Sequence, residues 1–338
     1  VDPAQFFAAS RLVIVAGKGG VGKTTVSAAL ARAASREGLS TLIVEVEGKS
    51  GLAAMFHQPV FSYEEVILSD GAAPGSGSNP GAPLRGEVRA RTLTPDDALL
   101  DYLHSAGMSR ISRRLVASGA LDMVATAVPG IRDILVLGKV KSLERGAAAD
   151  LIVLDAPAAG HAISFLQSAS GLADAVRLGP IHSQARDVLD LLGDPARCQV
   201  VLVTLPEETP VNELVDTAFQ LEDRVGVSLG PVVVNGLYPE LPGLLANPEA
   251  AADRAGVALR PGEAEALRAA AEFRRERMAL QRSQTQRLRE ALPLPQIHLP
   301  YVFDAEIDLP QLDTLASALL DDLHAMDAAA LGRAEVAP

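Results

Sequence analysis

Tryptophan is absent from this chain of 338 residues, cysteine occurs once, and aromatic side chains make up only 4% of the total. A lone Cys198 excludes an intrachain disulfide framework and any zinc site built from several cysteines of one chain. With few rings to fill an interior, Ala, Leu and Val must fill it, and such small side chains favour helices packed closely on a sheet. No apolar run approaches the roughly 18 residues of a spanning helix, and the N-terminus lacks the basic-then-apolar pattern of a secretory leader. The chain therefore reads as soluble and cytoplasmic, with no direct membrane anchor. A positive charge excess is missing as well: 42 acidic residues face 30 Lys and Arg, a net charge of −12. Duplex binding needs a basic footprint that displaces counterions, so no nucleic-acid partner is expected.

What is present is ample apolar material, 48% of residues, in short runs. Residues 11–16 (Arg-Leu-Val-Ile-Val-Ala) form a β-branched run ending at glycines, which suits a parallel strand buried on both faces. An Ala-rich helix over Thr25–Glu37, closed by Gly38, and a strand over Thr41–Val46 complete a βαβ unit. Further strands are predicted at Asp150–Leu154, Gln199–Thr204, Pro231–Val234 and Gln296–Leu299, with helical stretches between them. The expected fold is α/β, a mostly parallel, doubly wound sheet flanked by helices, with an added helical subregion over 95–146 and 162–195. Residues 70–86, rich in Gly, Ala, Pro and Ser, read as a mobile loop linking strands 65–68 and 88–93. Glu263–Glu290 reads as a long Arg-rich helix. Residues 1–330 are expected to form a single domain, with 331–338 as a tail.

The segment Gly17-Lys18-Gly19-Gly20-Val21-Gly22-Lys23-Thr24 matches G-x-x-x-x-G-K-[ST] between a predicted strand and helix, the context that confirms a phosphate-binding P-loop. Glycines let the backbone curl around phosphates, and the following helix adds its positive N-terminal end. Lys23 is placed to reach the β and γ phosphates, and the Thr24 hydroxyl to ligate Mg²⁺; the expected cofactors are ATP and Mg²⁺. Asp155, at the end of a buried strand, sits where an acid can hold Mg²⁺ through water. Asn235 offers both a donor and an acceptor, which suits an adenine edge.

With Lys18 and Thr25, the loop resembles the deviant Walker A loop of a class of dimeric ATPases that includes MinD, ParA, nitrogenase iron protein and the arsenite-pump/guided-entry ATPases. In that class the early lysine reaches the partner's nucleotide, so the resemblance implies face-to-face dimerisation. Asp155-Ala156-Pro157-Ala158-Ala159-Gly160-His161, followed by Phe165-Leu166, resembles switch II of the arsenite-pump/guided-entry family. Val128-Pro129-Gly130-Ile131 resembles the segment preceding that switch. Pro206-Glu207, Asn235 and Pro300 fall where that family contacts nucleotide. The resemblance runs from residue 11 to about 305 and implies an ATPase whose nucleotide state is coupled to a client.

Two departures qualify it. Where the family has Thr-Asp-Pro-Ala-His-Asn as switch I, this chain has Val46-Glu47-Gly48-Lys49-Ser50-Gly51. Glu47 thus replaces the water-positioning Asp with a longer acid, and slow hydrolysis is expected with Glu47, Lys18 and Lys23 as the catalytic set. One cysteine cannot bind trivalent metalloid through several thiolates, and the Cys-x-x-Cys of eukaryotic guided-entry factors is missing. The client stays open, targeting of hydrophobic or membrane proteins among the candidates. Leu172, Val176, Leu178, Val188, Leu189 and Leu192 read as core packing or a small groove. The partner is a second copy or, because switch I is altered, a paralogous ATPase in a heterodimer. A partition or positioning ATPase is the rival, but the arginines of 263–290 alternate with glutamates that suit i,i+4 pairing, and the segment from Gln311 is an acidic amphipathic helix, better packed on the sheet than on anionic lipid.

Overall fold

The computed structural model describes residues 2–46, 50–70, 86–105, 130–157, 159–175 and 179–326. Among them one sheet of eight strands runs in the order β3-β4-β2-β5-β1-β6-β7-β8. The strands are β1 (Leu12–Gly17), β2 (Thr41–Val46), β3 (Val66–Ser69), β4 (Val88–Leu93), β5 (Leu151–Asp155), β6 (Cys198–Thr204), β7 (Val232–Leu237) and β8 (Gln296–Pro300). All neighbours pair in parallel except β3, which runs antiparallel to β4 at one edge. The central strands are continuous apolar runs because both of their faces are covered: Leu12, Ile14 and Ala16 enter one core, and Val13 and Val15 the other. The half-exposed β3 occupies an edge, where one solvated face is tolerated.

One face carries α1 (Pro3–Ala8), α2 (Lys23–Arg36), α3 (Ser50–Met55) and, at the end of the chain, α11 (Leu309–Ala325). Helix α2 buries Ala28, Ala29, Ala31, Ala33 and Ala34. Without long side chains it lies close on the sheet, as the poverty in aromatics requires. Leu312, Leu315, Leu319 and Leu323 of α11 are buried against α2 and β8, the sheet-packing role expected of that segment. The opposite face carries α5 (Ile131–Arg145), α6 (Ala159–Ala175), α7 (Pro180–Leu192) and α8 (Glu208–Val225). Helix α4 (Pro95–Ser105) packs on α5. Leu172, Val188 and Leu192 are buried in this core and Leu189 packs against it; Val176 and Leu178 lie outside the described residues. So do the segment 71–85 and Val128-Pro129.

Two expectations are revised. Strand β7 does not stop before Asn235 but continues to Leu237, with a register shift between Val234 and Leu237 against β8. Asn235-Gly236 sits in that irregularity rather than in a turn, and such bulges re-aim a side chain without ending the strand. Among the described residues, the arginines of the Arg-rich helix, α10 (Glu263–Ala291), make no ion pair along its own surface, where Arg289 donates to Gln286 and Gln286 to Glu290. Arg268 pairs with Glu249, Arg277 with Glu207 and Arg282 with Glu240, while Arg274 and Arg287 donate to the Pro239 and Glu208 carbonyls. An exposed i,i+4 pair contributes only a few tenths of a kcal/mol, too little to hold a long guanidinium against partners on neighbouring segments.

Candidate functional site

Strand β1 lies between β5 and β6, while the chain crosses from β1 through α2 to β2 on one side and later returns to β6 on the other. Open parallel sheets bind ligands at such a reversal, outside the carboxyl ends of the strands. Gly17 ends β1 here, residues 18–22 form the turn, and α2 begins at Lys23. The turn closes only with glycine at Gly22: its φ is 90°, and a Cβ there would collide with the Asn235 amide.

Four contacts hold the loop. Asn235 Nδ2 donates to the Val21 carbonyl at 3.0 Å, so the irregular end of β7 buttresses the turn from below. Lys23, largely buried, donates from Nζ to the Lys18 carbonyl at 2.9 Å, placing its ammonium inside the curl. Thr24 Oγ1 donates to Asp155 Oδ2 at 2.8 Å, tying α2 to the end of β5. Lys18 Nζ lies 2.9 Å from Glu213 Oε1 of α8. The result is a ring of backbone at a helix N-terminus with an ammonium inside it and a hydroxyl–carboxylate pair beside it. Such a ring can receive an anion, and the oxygen pair can hold a hard divalent cation.

The expected residues are therefore brought together with few exceptions. Gly17, Lys18, Gly19, Gly20, Val21, Gly22, Lys23, Thr24 and Thr25 form the loop and the start of α2, with Asp155 and Asn235 against it. Glu207 caps the start of α8, but its carboxylate is engaged by Arg277 of α10. Glu47, with Gly48 and Lys49, lies outside the described residues, and so does the side chain of His161 in the first turn of α6.

Three groups escaped the sequence reading. Glu45 on β2 is fully buried, level with Asp155 of the adjoining strand, and accepts from Thr92 at 3.0 Å. Its place inside an apolar run is the one signal that sets it apart. Glu213 carries no such signal, being one acid among several on an amphipathic helix. Tyr238, Tyr301 and Phe303 meet beyond the ends of β7 and β8, with centroids 4.6 Å apart for Tyr301 and Phe303 and the Arg274 guanidinium over Tyr238 at 5.2 Å. Their concentration in a chain so poor in rings was the available clue.

The sequence of this chain is similar to those of known proteins. Residues 12–117 match the CobQ/CobB/MinD/ParA nucleotide binding domain, and residues 104–184 match the anion-transporting ATPase family. ATPase BagA of Mycobacterium tuberculosis is 32% identical over 331 residues, which cover 91% of this chain and 92% of that protein. An arsenical pump-driving ATPase of Escherichia coli is 27% identical over 265 residues, 74% of this chain and 42% of the relative. The chain belongs to the ArsA-like family of ATPases. ATPase get3 of Neurospora crassa is 26% identical over 209 residues, 61% of this chain and 55% of that protein. Membership of the ArsA-like family implies a nucleotide-binding chain. Among the described residues, no helix is long and apolar enough to cross a membrane.

Proposed function

We propose that this ArsA-like chain is an ATP-driven switch. It binds Mg²⁺–ATP in the Gly17–Thr24 loop, closes face to face on a second copy, hydrolyses ATP slowly and couples the two states to a client. The observation that carries the reading is the Thr24–Asp155 hydrogen bond beside the enclosed Lys23 ammonium. A hydroxyl and a carboxylate this close are hard oxygen donors of the kind Mg²⁺ takes, while the ammonium and the helix N-terminus suit phosphate. On binding, Lys23 exchanges the Lys18 carbonyl for phosphate oxygens, and the Thr24 hydroxyl and, through water, Asp155 hold the metal. Held by Thr24 and, through water, Asp155, Mg²⁺ would supply positive charge against the phosphates.

Lys18 then leaves Glu213 and reaches the partner's phosphates, as its family resemblance implies, adding positive charge where the transition state gathers negative charge. Glu47 orients the attacking water; its extra methylene, relative to the family's Asp, supports slow turnover, because small displacements cost orders of magnitude. Asn235 and Pro300 mark the side on which the base lies. Glu47 and Asp155 begin the two segments whose relaxation after hydrolysis changes affinity for the client. One domain spanning 1–330 suits this cycle, since the strands that lead into the loop (β1), residue 47 (β2), Asp155 (β5) and the base side (β7 and β8) all belong to a single sheet.

Titration calorimetry tests the binding step. Lys23→Ala should lower Mg²⁺–ATP affinity about 100-fold, the loss of a charge-assisted contact of ~3 kcal/mol. An unchanged affinity would remove the loop from the mechanism. Turnover tests Glu47: a Glu47→Gln variant as fast as the parent excludes it. The replacement in switch I also supports a second reading, in which this chain is the nucleotide-binding half of a heterodimer with a paralogous ATPase. Pure chain that neither turns over nor doubles in mass with ATP would favour that alternative.

A further inference from the structure

Both ends of Lys18 are tied within its own chain. Its carbonyl accepts from Lys23 Nζ at 2.9 Å, and its own ammonium lies 2.9 Å from Glu213 Oε1 of α8. Strand β6 pairs in parallel with β1, so the helix that follows β6 starts beside the loop that follows β1. The buried stripe of α8, formed by Val211, Leu214, Thr217, Ala218 and Leu221, fixes that helix against the core. Glu213, next to Leu214, falls at the border of the stripe, its side chain 34% exposed against 42% for Lys18. The acid is thus presented by a packed helix, and the lysine reaches it from the turn.

The acid that caps α8 is engaged elsewhere. Glu207 pairs with Arg277 of α10, at the point where that helix enters the core. Met278, Gln281, Gln284 and Leu288 are the buried residues of α10, all in its C-terminal half, and ahead of them Arg268 pairs with Glu249 of α9 (Pro248–Ala255). Glu213 is therefore the ion-pair partner of Lys18 among the described residues. Asp216, one turn further along α8, is exposed and makes no ion pair among those residues.

We infer that Glu213 is a positioning residue that holds Lys18 within its own subunit, so that closure of the dimer must first break this pair. The inference rests on the proposed face-to-face dimer, in which each Lys18 crosses to the partner's phosphates. Phosphate binding loosens the hold from the other end, because Lys23 leaves the Lys18 carbonyl for phosphate oxygens. An ion pair this exposed shifts an equilibrium by a small factor, not by orders of magnitude. Glu213 therefore tunes dimerisation rather than forbidding it. Two subunits carrying ATP gain phosphate contacts that offset the broken pairs, and two without it gain none. Two-fold symmetry doubles the effect, since both lysines must leave.

The test compares wild type, Glu213→Gln and Asp216→Asn by sedimentation with Mg²⁺ and a slowly hydrolysed ATP analogue. Glutamine keeps the size and polar end of Glu213, so α8 should stay folded, which circular dichroism checks. Asp216→Asn removes the same charge one turn away. The expected result is a dimer tightened about ninefold by Glu213→Gln, about threefold for each released lysine, and unchanged by Asp216→Asn. A residue that merely supported α8 would weaken the dimer when replaced, so the direction of the change identifies the hold. Equal constants for all three proteins, or a weaker dimer in Glu213→Gln, overturn the hold on Lys18 and leave the ATP-driven dimer standing. Equal tightening by Asp216→Asn overturns it as well, because net charge would then be the cause. Wild type and Glu213→Gln that both bind the analogue and stay monomeric overturn the hold and the dimer together.

Discussion

At the scale of single residues the loop is a set of short-range constraints, each separable by mutation. Gly22 combines a left-handed φ with the approach of the Asn235 amide. Gly22→Ala should therefore destabilise the loop by about 1–3 kcal/mol, the range for a non-glycine residue held in that region. In the double variant with Asn235→Ala the collision is gone and the backbone strain stays, so nucleotide affinity should recover only in part. Calorimetric titration of both variants checks this, and full recovery would show that φ at Gly22 is unimportant. Asn235→Ala alone removes one hydrogen bond to Val21 and should cost about 1 kcal/mol of stability in urea melts.

At the scale of elements, α11 is fastened to β8 by Asp322. Its carboxylate accepts from the His298 backbone N–H at 2.7 Å and lies 3.2 Å from His298 Nδ1. Partial burial, the largest influence, pushes the Asp322 carboxyl up, but the hydrogen bonds and charge of His298 outweigh it and hold the carboxyl below its ordinary value. A carboxyl lowered on folding contributes stability that is complete above its unfolded pKa, about 3.9, and lost as pH falls through the folded value. Asp322→Asn should therefore cost about 1 kcal/mol at pH 7 and progressively less below about pH 4, read from urea melts at each pH. A constant difference across that range would mean the carboxylate's charge is not involved. At this scale the sequence was highly legible: the strand positions follow from apolar runs, since strands covered on both faces need no alternation. Helix α10 was legible as an element but not in its bonding, because which acid an arginine meets depends on segments brought alongside only by folding.

At the scale of the whole molecule, the single thiol reports on integrity. Cys198 begins β6 inside the core, and burial pushes its thiol far above the ordinary range, with Arg197 only weakly opposing. A neutral buried thiol neither reacts nor ligates soft metals. Labelling of native protein by a maleimide should therefore proceed only as fast as the chain opens, and arsenite should leave ATP turnover unchanged; rapid native labelling would contradict the burial. The sequence by itself determined the doubly wound sheet, the phosphate loop and the family, because those rest on local pattern: apolar runs, glycine spacing and a lysine–threonine pair at fixed offsets. Only the tertiary structure decided that Asn235 braces the loop from an irregular strand end, that Glu213 holds Lys18, and that half of α10 stands clear of the core. Each depends on residues far apart in the chain, and no local pattern carries the information of which distant surface a side chain will face.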